Sequence, residues 1–397
     1  MTLFLAESNQ MENNIVHRSK RLKRCHNKPM PRQISAKLKL SDCPEDVLGT
    51  ILSKLPTKEI VRTSVLSSKW NQIWTVCPKL RFDGGTMCSK DVIGTQFSTQ
   101  KFIENVNGVI KQYNGKLVEE LEVKFEFDSK LAEHLNGWVS FALSSRAKNL
   151  SLHLLPANFW LCLDRYRFPF ELFDGGKISR LQQVQLSFVS LESLPQVSGF
   201  PNLKKLDLHV VRATQIGLPN MLANCTSLEW LSLVQCHLDD ELTVACPLPR
   251  LLYLHIAYCG LSKIEFNAMN LQTFVYIGRW HPIYLDHALE LKDASLYFMD
   301  KITLEDALVA LPNVLPKVRN LRLRSLMSLE TPGLLGKISK FLQLKYLQLS
   351  FFVKADDQIN ILYLASFLSD APFIEELEIH SLPTLLRGYQ EASTLYT

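Results

Sequence analysis

The chain has 397 residues, of which 47% are hydrophobic, and its formal net charge is +5 at pH 7. This length accommodates two or more domains, and no run of about 18 apolar residues occurs, so we expect neither a transmembrane helix nor a membrane partner. The nine cysteines show no Cys-x-x-Cys pair and no matching histidine spacing, so we predict no metal site, no disulfide framework and no cofactor.

Positive charge is concentrated at the start of the chain. Residues 1–39 contain nine Lys or Arg and two Glu, whereas the remainder is slightly acidic. We therefore predict a disordered basic tail over 1–36. A cluster at its centre resembles a nuclear localisation signal, with a plain solvated extension as the alternative; its residues are Lys20, Arg21, Lys23 and Arg24.

The start of the chain also bears on location and on nucleic-acid binding. The apolar stretch in MTLFLAESNQ is too short for a signal peptide and has no basic leader. We therefore expect the protein in the nucleus, the cytoplasm or both. No aromatic residue is interleaved with the basic cluster, so we do not predict nucleic-acid binding.

Residues 41–82 predict three short amphipathic helices. Pro44 suits a first helical turn, and apolar residues then recur at helical spacing through 47–55. Thr57 can cap the second helix, and the third contains Trp70. So many apolar side chains on so few residues cannot all be buried internally. We predict a small helical unit that completes its core on a partner; the alternative is a subdomain packed only on the rest of the chain.

This segment resembles an F-box, in the version typical of plant F-box proteins with leucine-rich repeats. The matching pieces, in order and in register, lie at 44–48, 51–58, 61–67, Trp70 with Trp74, and 79–83. Two positions depart from the pattern: Cys43 replaces a leucine, and Ser68 replaces a basic residue. We expect these departures to weaken adaptor binding without abolishing it.

Beyond residue 116 the chain repeats an apolar triplet, in which one apolar residue is followed by others three and five positions later. The triplet occurs eleven times, starting at Val118, Ala147, Leu181, Leu203, Leu228, Leu251, Leu271, Leu291, Val318, Leu344 and Ile374. Successive units start 20 to 34 residues apart, and most fall near the leucine-rich-repeat period. Each short strand directs alternating residues into a core that only stacking completes.

The predicted fold is therefore an α/β solenoid. It has a three-helix F-box over 37–83, a connecting helical segment over 84–116 and a leucine-rich-repeat horseshoe over 117–397, with a parallel sheet on the concave face. An apolar stripe predicts a bridging helix in the connecting segment; its residues are Phe97, Phe102, Ile103, Val106 and Ile110.

Two features lie outside the triplets. Cys236 and Cys259 each follow the last apolar position of a repeat by three residues, which is typical of a small buried group where the chain turns. We interpret both as structural. The aromatic-rich segment 157–176 predicts a helix and a loop on the convex side, with a ligand pocket as the open alternative.

The resemblance implies a role in ubiquitin transfer. It implies that the F-box binds a Skp-family adaptor, that the adaptor joins a cullin, and that the repeats hold a target protein. The chain would then be the non-catalytic substrate-recognition subunit of an SCF-type ubiquitin ligase, and the sequence shows no catalytic motif. Implied adaptor contacts, or direct supports of them, are Pro44, Leu48, Ile51, Leu52, Leu55, Val65 and Trp70. The family often has a further module after the repeats; since the chain stops at Thr397, we expect it to be absent or truncated.

The target-binding residues are predicted from strand alternation, because residues between the apolar positions face the concave side. The hypothesis concerns a central group and a later one, which together comprise Trp230, Tyr253, His255, Arg322, Arg324 and Tyr346. The arginines favour an acidic or phosphorylated segment. The alternative is that these side chains only pack on their strand neighbours. Two other functions also remain open: a ligase-independent interaction scaffold and a small-molecule receptor.

Overall fold

The computed structural model describes residues 43–65, 70, 74–88, 96–115, 117–173, 180–191, 200–214, 216–285, 288–303, 310–328, 341–353 and 371–383. The predicted basic tail and its localisation cluster lie outside these ranges, as does Ser68. The chain from Pro44 onward is one compact unit.

A single sheet of twelve parallel strands, joined in chain order, organises this unit. Its strands are β1 (Lys79–Asp83), β2 (Glu120–Lys124), β3 (Asn149–His153), β5 (Gln183–Ser187), β7 (Lys205–His209), β9 (Trp230–Val234), β11 (Tyr253–Ala257), β13 (Thr273–Gly278), β15 (Asp293–Thr303), β16 (Asn320–Ser328), β17 (Tyr346–Val353) and β18 (Glu376–Pro383). All eleven predicted triplets coincide with strands β2 to β18 of this sheet, so the predicted leucine-rich-repeat solenoid is confirmed.

The sheet begins one strand earlier than predicted. β1 pairs in register with β2, from Lys79 opposite Glu120 to Asp83 opposite Lys124. The sequence interpretation assigned 79–83 to the end of the F-box, yet this strand has the same triplet, formed by Cys77, Leu80 and Phe82, all at most 2% exposed. The first strand of the repeat sheet therefore lies within the segment that resembles an F-box.

The connections behind the sheet change from helices to short strands along the chain. Helix α3 (Gly84–Met87) and helix α4 (Gln96–Gln112) join β1 to β2, and α5 (Ala132–Ser144) lies between β2 and β3. The later connections form two three-stranded sheets, one of β4 (Tyr166–Arg167), β6 (Val189–Leu191) and β8 (Arg212–Ala213), the other of β10 (Glu241–Val244), β12 (Lys263–Phe266) and β14 (Ile283–Tyr284). Helix α6 (Gly217–Ala223) precedes β9.

The bridging helix predicted for the connecting segment is α4. Its residues Phe102 and Val106 are fully buried, and Phe102 stacks on Phe125 with ring centroids 4.3 Å apart. The indole N–H of Trp138 on α5 donates to Asn107 Oδ1 at 2.8 Å, which joins the two helices. The side chain of Phe97 lies outside the described residues.

The prediction for 157–176 was wrong about the helix. The segment forms two 3₁₀ turns, Phe159–Leu161 and Phe170–Phe173, with β4 between them. Pro169 cannot donate a helical hydrogen bond, so a continuous helix is disfavoured. Phe168, Phe170 and Phe173 instead pack on one another, with centroids 4.9 to 6.4 Å apart.

The chain leaves four consecutive sheet strands through the same left-handed corner. The corner residues have φ between 52° and 61° and are Phe188, Val210, Gln235 and Tyr258. Each corner N–H donates to a carbonyl at the end of the next strand at 2.7 to 3.0 Å, the last residue in three cases and the penultimate Ile277 for Tyr258, so the ladder continues through the turn. The residue after Gln235 or Tyr258 then enters the core: Cys236 and Cys259 are 2% and 8% exposed, as predicted. Their thiols donate to carbonyls of the preceding repeat at 3.4 and 3.5 Å.

The N-terminal helices are α1 (Glu45–Leu52) and α2 (Thr57–Arg62), followed by a 3₁₀ turn at Thr63–Val65. The predicted third helix lies largely outside the described residues, but Trp70 and Trp74 are both buried. The predicted cap at Thr57 was wrong, because Pro56 is the N-cap residue and makes no side-chain cap. The Thr57 hydroxyl has a tertiary partner instead.

Candidate functional site

Helix α1 has one buried apolar face. Leu48 and Leu52 are at most 1% exposed, and Trp70 is 8% exposed. These three were among the residues implied to contact an adaptor. Their burial within the chain fits the second of the two predicted roles, that of supporting an adaptor contact from below, and the assignment itself stays a prediction.

An adjacent face of α1 is apolar and exposed. Val47 and Ile51 are 42% and 40% exposed, and Leu55, four residues further on, is 37% exposed. A spacing of four places the side chains of Val47 and Ile51 above one another on the helix, and Leu55 follows just after α1 ends at Leu52. Pro44 and Val65 are also exposed, Val65 by 86%. Val47 was missing from the predicted contacts, although its spacing from Ile51 was a sequence signal for it.

The F-box helices lie against the open edge of the twelve-stranded sheet. Thr57, which is 1% exposed, accepts the backbone N–H of Arg81 on β1 at 2.7 Å. Lys58 Nζ donates to the carbonyl of Thr86 at 2.5 Å. β1 is the first strand of the sheet, so α2 covers an edge that would otherwise present unpaired backbone groups.

The first strands of the concave face bear charges that compensate one another. Arg81 donates to both carboxylate oxygens of Glu120, at 2.7 and 3.1 Å, and its Nε lies 3.5 Å from Glu122. Lys124 lies 4.0 Å from Asp83. This end of the face therefore offers little uncompensated charge to a partner.

The predicted central group is assembled on β9 and β11. Trp230 and Tyr253 stack with centroids 3.6 Å apart and an interplanar angle of 11°. Lys205 Nζ lies 5.2 Å from the Trp230 ring centroid. His255 Nδ1 lies 3.3 Å from Ser232 Oγ, and burial lowers the pKa of His255 despite the nearby Asp207 carboxylate. Trp230 remains 36% exposed.

The predicted arginines each contact a tyrosine. Arg322 Cζ lies 5.6 Å from the Tyr346 centroid, and Arg324 Cζ lies 4.7 Å from the Tyr297 centroid. Both arrangements are cation–π contacts, which orient a guanidinium while leaving its charge in place. Tyr297 was not predicted, although it follows the triplet that begins at Leu291.

The structure separates the six predicted target residues into two groups. β13 and β15 lie between β11 and β16, which places three strand spacings, about 14 Å, between the groups. Beyond the arginines, Glu378 Oε2 lies 3.2 Å from His380 Nε2. Hydrogen bonds from His380 and then Tyr346 lower the pKa of Glu378, and the charge of Arg322 adds to this.

No group of three or more His, Cys, Asp or Glu side chains that could hold a metal occurs in the described ranges. None of the helices described is long and apolar enough to cross a membrane. A cavity of about 840 Å³ lies beside the ends of the first strands, lined among others by Lys124, Phe127 and His153. A second of about 910 Å³ lies behind β13 and β15.

Comparison with known protein families agrees with this division into helices and repeats. Residues 40–82 match the F-box domain, and residues 109–386 match the domain described as At1g61320/AtMIF1, LRR domain. The chain belongs to the F-box/leucine-rich-repeat proteins. F-box domains typically bind Skp-family adaptors, and F-box/leucine-rich-repeat proteins are generally non-catalytic adaptors.

Its curated relatives include several proteins of Arabidopsis thaliana. The putative F-box/FBD/LRR-repeat protein At3g49030 is 28% identical over 360 residues, which cover 88% of this chain and 75% of the relative. The F-box/LRR-repeat protein At3g26922 is 26% identical over 285 residues, covering 70% and 87%. The putative F-box/FBD/LRR-repeat protein At4g26350 is 28% identical over 207 residues, covering 51% and 43%, so the chain spans less than half of that relative.

Proposed function

We propose that this F-box/leucine-rich-repeat protein is the substrate-recognition subunit of an SCF-type, cullin-RING ubiquitin ligase. The F-box binds a Skp-family adaptor, the adaptor joins a cullin, and the concave face of the repeats holds a target protein. The chain contributes proximity and no chemistry of its own. Holding the target near a conjugating enzyme that is loaded with ubiquitin raises the effective concentration of the target's lysines.

The exposed apolar stripe of α1 is the observation that supports this proposal most directly. Val47 and Ile51 on α1, and Leu55 just beyond its end, remain 37% to 42% exposed, while Leu48 and Leu52 on an adjacent face of the helix are buried. An apolar stripe of this kind is typical of a protein interface. It occurs within the segment that matches the F-box domain.

The packing of α2 on β1 adds a geometric argument. The hydrogen bond between Thr57 and Arg81 connects α2 directly to β1, and that between Lys58 and Thr86 connects it to helix α3, which follows β1. The adaptor surface and the concave face therefore belong to one compact unit. A target bound on the repeats is then held at a defined position relative to the adaptor.

The test is a binding titration of the full chain with a purified plant Skp-family adaptor. Ile51→Glu combined with Val65→Glu should weaken binding at least about tenfold, because a charge buried in an apolar interface is costly. Leu117→Glu is the matched control: Leu117 is 45% exposed but lies outside the F-box match. Adaptor affinity that is unchanged in the double variant, or equally reduced in the control, would contradict the assignment.

Truncation of the buried face would be a weaker test. Leu52→Ala or Trp70→Ala removes a core side chain and costs about 2–5 kcal/mol of stability. Loss of binding in such variants would follow from unfolding as well as from lost contacts. If the intact chain binds no adaptor while its repeats still bind a target, the ligase-independent scaffold is the better description.

The cellular location is part of the same proposal. We expect the protein in the nucleus, the cytoplasm or both, with the basic cluster directing import. A fluorescent fusion in plant cells tests this: replacing Lys20, Arg21, Lys23 and Arg24 by alanine should lower the nuclear fraction. An unchanged distribution would assign the cluster to a plain solvated extension.

A further inference from the structure

A line of polar side chains crosses the small sheet of β4, β6 and β8. Ser190 on β6 pairs in register with Arg212 on β8, and Arg212 forms a parallel bridge with His237. Residues in register on parallel strands point to the same side of a sheet. Arg212 and His237 are exposed and Ser190 is half-buried, whereas the residues on either side of each are buried. We call Ser190, Arg212 and His237 the outer row.

Backbone hydrogen bonds fix the spacing of the outer row. The His237 N–H donates to the carbonyl of Val211 at 2.8 Å, and the Ala213 N–H donates to the carbonyl of His237 at 3.0 Å. Neighbouring members of the row are therefore about 4.8 Å apart. Within the described ranges, none of the three side chains makes a hydrogen bond or an ion pair. A hydroxyl, a guanidinium and an imidazole are thus presented side by side to a ligand.

A half-buried arginine lies beside this row. Arg165 donates to the carbonyl of Val210, and its Cζ lies 4.9 Å from the centroid of the Phe188 ring. Its Nε is buried and has no hydrogen-bond partner among the described residues. A guanidinium that is partly removed from water without a carboxylate partner is unfavourable, and a bound anion would compensate it.

The charges around the outer row have one sign. Burial and then the charge of Arg212 lower the pKa of Arg165, and only the Cys236 thiol acts in the opposite direction. Desolvation and then the charges of Arg165 and Arg212 lower the pKa of His237. No carboxylate of a described residue contributes to either shift, although Asp164 adjoins Arg165 in the chain. The local potential therefore favours an anion.

The chain just before Arg165 is apolar and exposed. Trp160, Leu161 and Leu163 are 60%, 74% and 81% exposed. Leu163 is two residues from Arg165, so their Cα atoms are at most about 7 Å apart. Exposed apolar side chains grouped beside polar ones are typical of an interaction site. A partner that binds the outer row can therefore also bury an apolar side chain on this loop.

We propose that the outer row binds a phosphorylated serine or threonine of a partner protein, and that an apolar residue next to it packs on the loop at 160–163. Arg212, His237 and the Ser190 hydroxyl donate to the phosphoryl oxygens, and the charge of Arg165 strengthens their attraction. A phosphoryl group carries a charge of about −1.5 to −2 and three acceptor oxygens, so it can accept from donors on three chain segments. A carboxylate is better matched to a single bidentate arginine. This site is separate from the concave face and does not depend on the ligase role.

A membrane surface is the competing partner, because exposed Trp and Leu beside basic residues also suit anionic lipid. Binding to anionic lipid typically uses clusters of about four to eight Lys or Arg. Here Arg165, Arg212 and His237 provide the charge, and Arg167, which pairs in register with Ser190, already interacts with another group. So few charges at such close spacing favour a single phosphoryl group.

The experiment offers the purified full chain a peptide library with a central phosphoserine flanked by randomised positions. Matched libraries carry serine or glutamate at the centre. The phosphoserine library should be retained at least about tenfold better than either, with a large apolar residue enriched beside the phosphoserine. Equal retention of the glutamate library would overturn the phosphoryl assignment, and no retention would overturn the whole proposal.

The best peptide is then measured by fluorescence anisotropy on variants of the full chain. Arg212→Gln should weaken binding at least about tenfold, and His237→Gln or Ser190→Ala about threefold or more, because each removes a hydrogen bond to a charged group. Arg250→Gln, at an exposed turn arginine before β11, is the matched control and should leave binding unchanged. Trp160→Ser should weaken the peptide but not inorganic phosphate. Equal affinities of Arg212→Gln and the control would contradict the site.

The titration of His237 is a readout that a purely structural role would not move. Its imidazole resonance is assigned by its loss in His237→Gln and is followed against pH with and without saturating peptide. A bound phosphoryl group should raise the pKa of His237, because it stabilises the imidazolium. An unchanged pKa would place the peptide elsewhere on the chain.

Two further measurements distinguish the sources of the anion. Inorganic phosphate should compete only weakly with the peptide, because it makes no contact with the apolar loop; equal affinity would overturn the protein partner in favour of a free anion. Vesicles of phosphatidylcholine and phosphatidylserine should not retain the chain. Retention that Arg212→Gln abolishes, without any selected phosphopeptide, would assign this surface to a membrane and overturn the proposal.

Discussion

Thr57→Val tests the contact that joins the F-box to the repeats. Valine has nearly the shape of threonine but no hydroxyl oxygen, so the substitution removes the acceptor of the Arg81 N–H. Thr57 is 1% exposed, which leaves no room for water to replace the lost bond. An unsatisfied buried donor costs about 1–3 kcal/mol.

Hydrogen exchange at the Arg81 amide measures this cost locally. A loss of about 1–3 kcal/mol should accelerate exchange between roughly fivefold and a hundredfold, since about 1.4 kcal/mol corresponds to a factor of ten. Thr57→Ser is the matched control because it keeps the hydroxyl and removes only a methyl group. Its Arg81 amide should stay close to wild-type protection. If both variants exchange at the same rate, the hydroxyl does not hold the edge strand and our account of the junction is refuted.

Three further predictions concern the repeats. Arg146 is exposed and has φ 56° at the end of α5, so Arg146→Gly should raise the unfolding free energy by about 1 kcal/mol in urea titration, while Arg146→Ala should not. Burial lowers the pKa of His255, so the folded chain binds fewer protons at this residue than the unfolded chain does. The contribution of neutral His255 to the free energy of unfolding is therefore complete above about pH 6.5 and is lost as the pH falls further. His255→Gln should therefore flatten the fall of the urea midpoint between about pH 7 and pH 5. Because burial raises the pKa of Cys236, and Cys259 is also buried, a thiol reagent should label both only on unfolding, as located by mass spectrometry; labelling of the folded chain would contradict their structural role.

The repeats were predictable because their signal is local and recurs. A triplet such as Leu228, Leu231 and Leu233 specifies both the strand and the direction of its core side chains, and eleven such units agree with each other. Strand β1 was not predicted as part of the repeat sheet, although Cys77, Leu80 and Phe82 form the same triplet. Two helices separate it from β2, so its spacing falls outside the period, and the resemblance to an F-box had already accounted for its residues.

Tertiary partners explain most of what the sequence could not show. The Thr57 hydroxyl suits a helix cap in local terms, but its partner is the Arg81 amide, 24 residues later. The divergence of Arg322 and Arg324 depends on tyrosines supplied by the neighbouring strands β15 and β17. Alternation along β16 predicts that both arginines face the concave side, but it does not specify toward which neighbour each one leans.

The separation of faces on the F-box helices lets stability and binding be changed independently. Leu48 and Leu52 face inward on α1, and Thr57 on α2 secures the edge of the sheet, so substitutions there act on folding. Val47 and Ile51 face outward, so substitutions there leave the core intact and act on the adaptor contact that we propose. In the proposed function the same small unit caps the open edge of the solenoid and binds an adaptor, and the two tasks do not conflict because each uses a different face of helices that pack against the sheet.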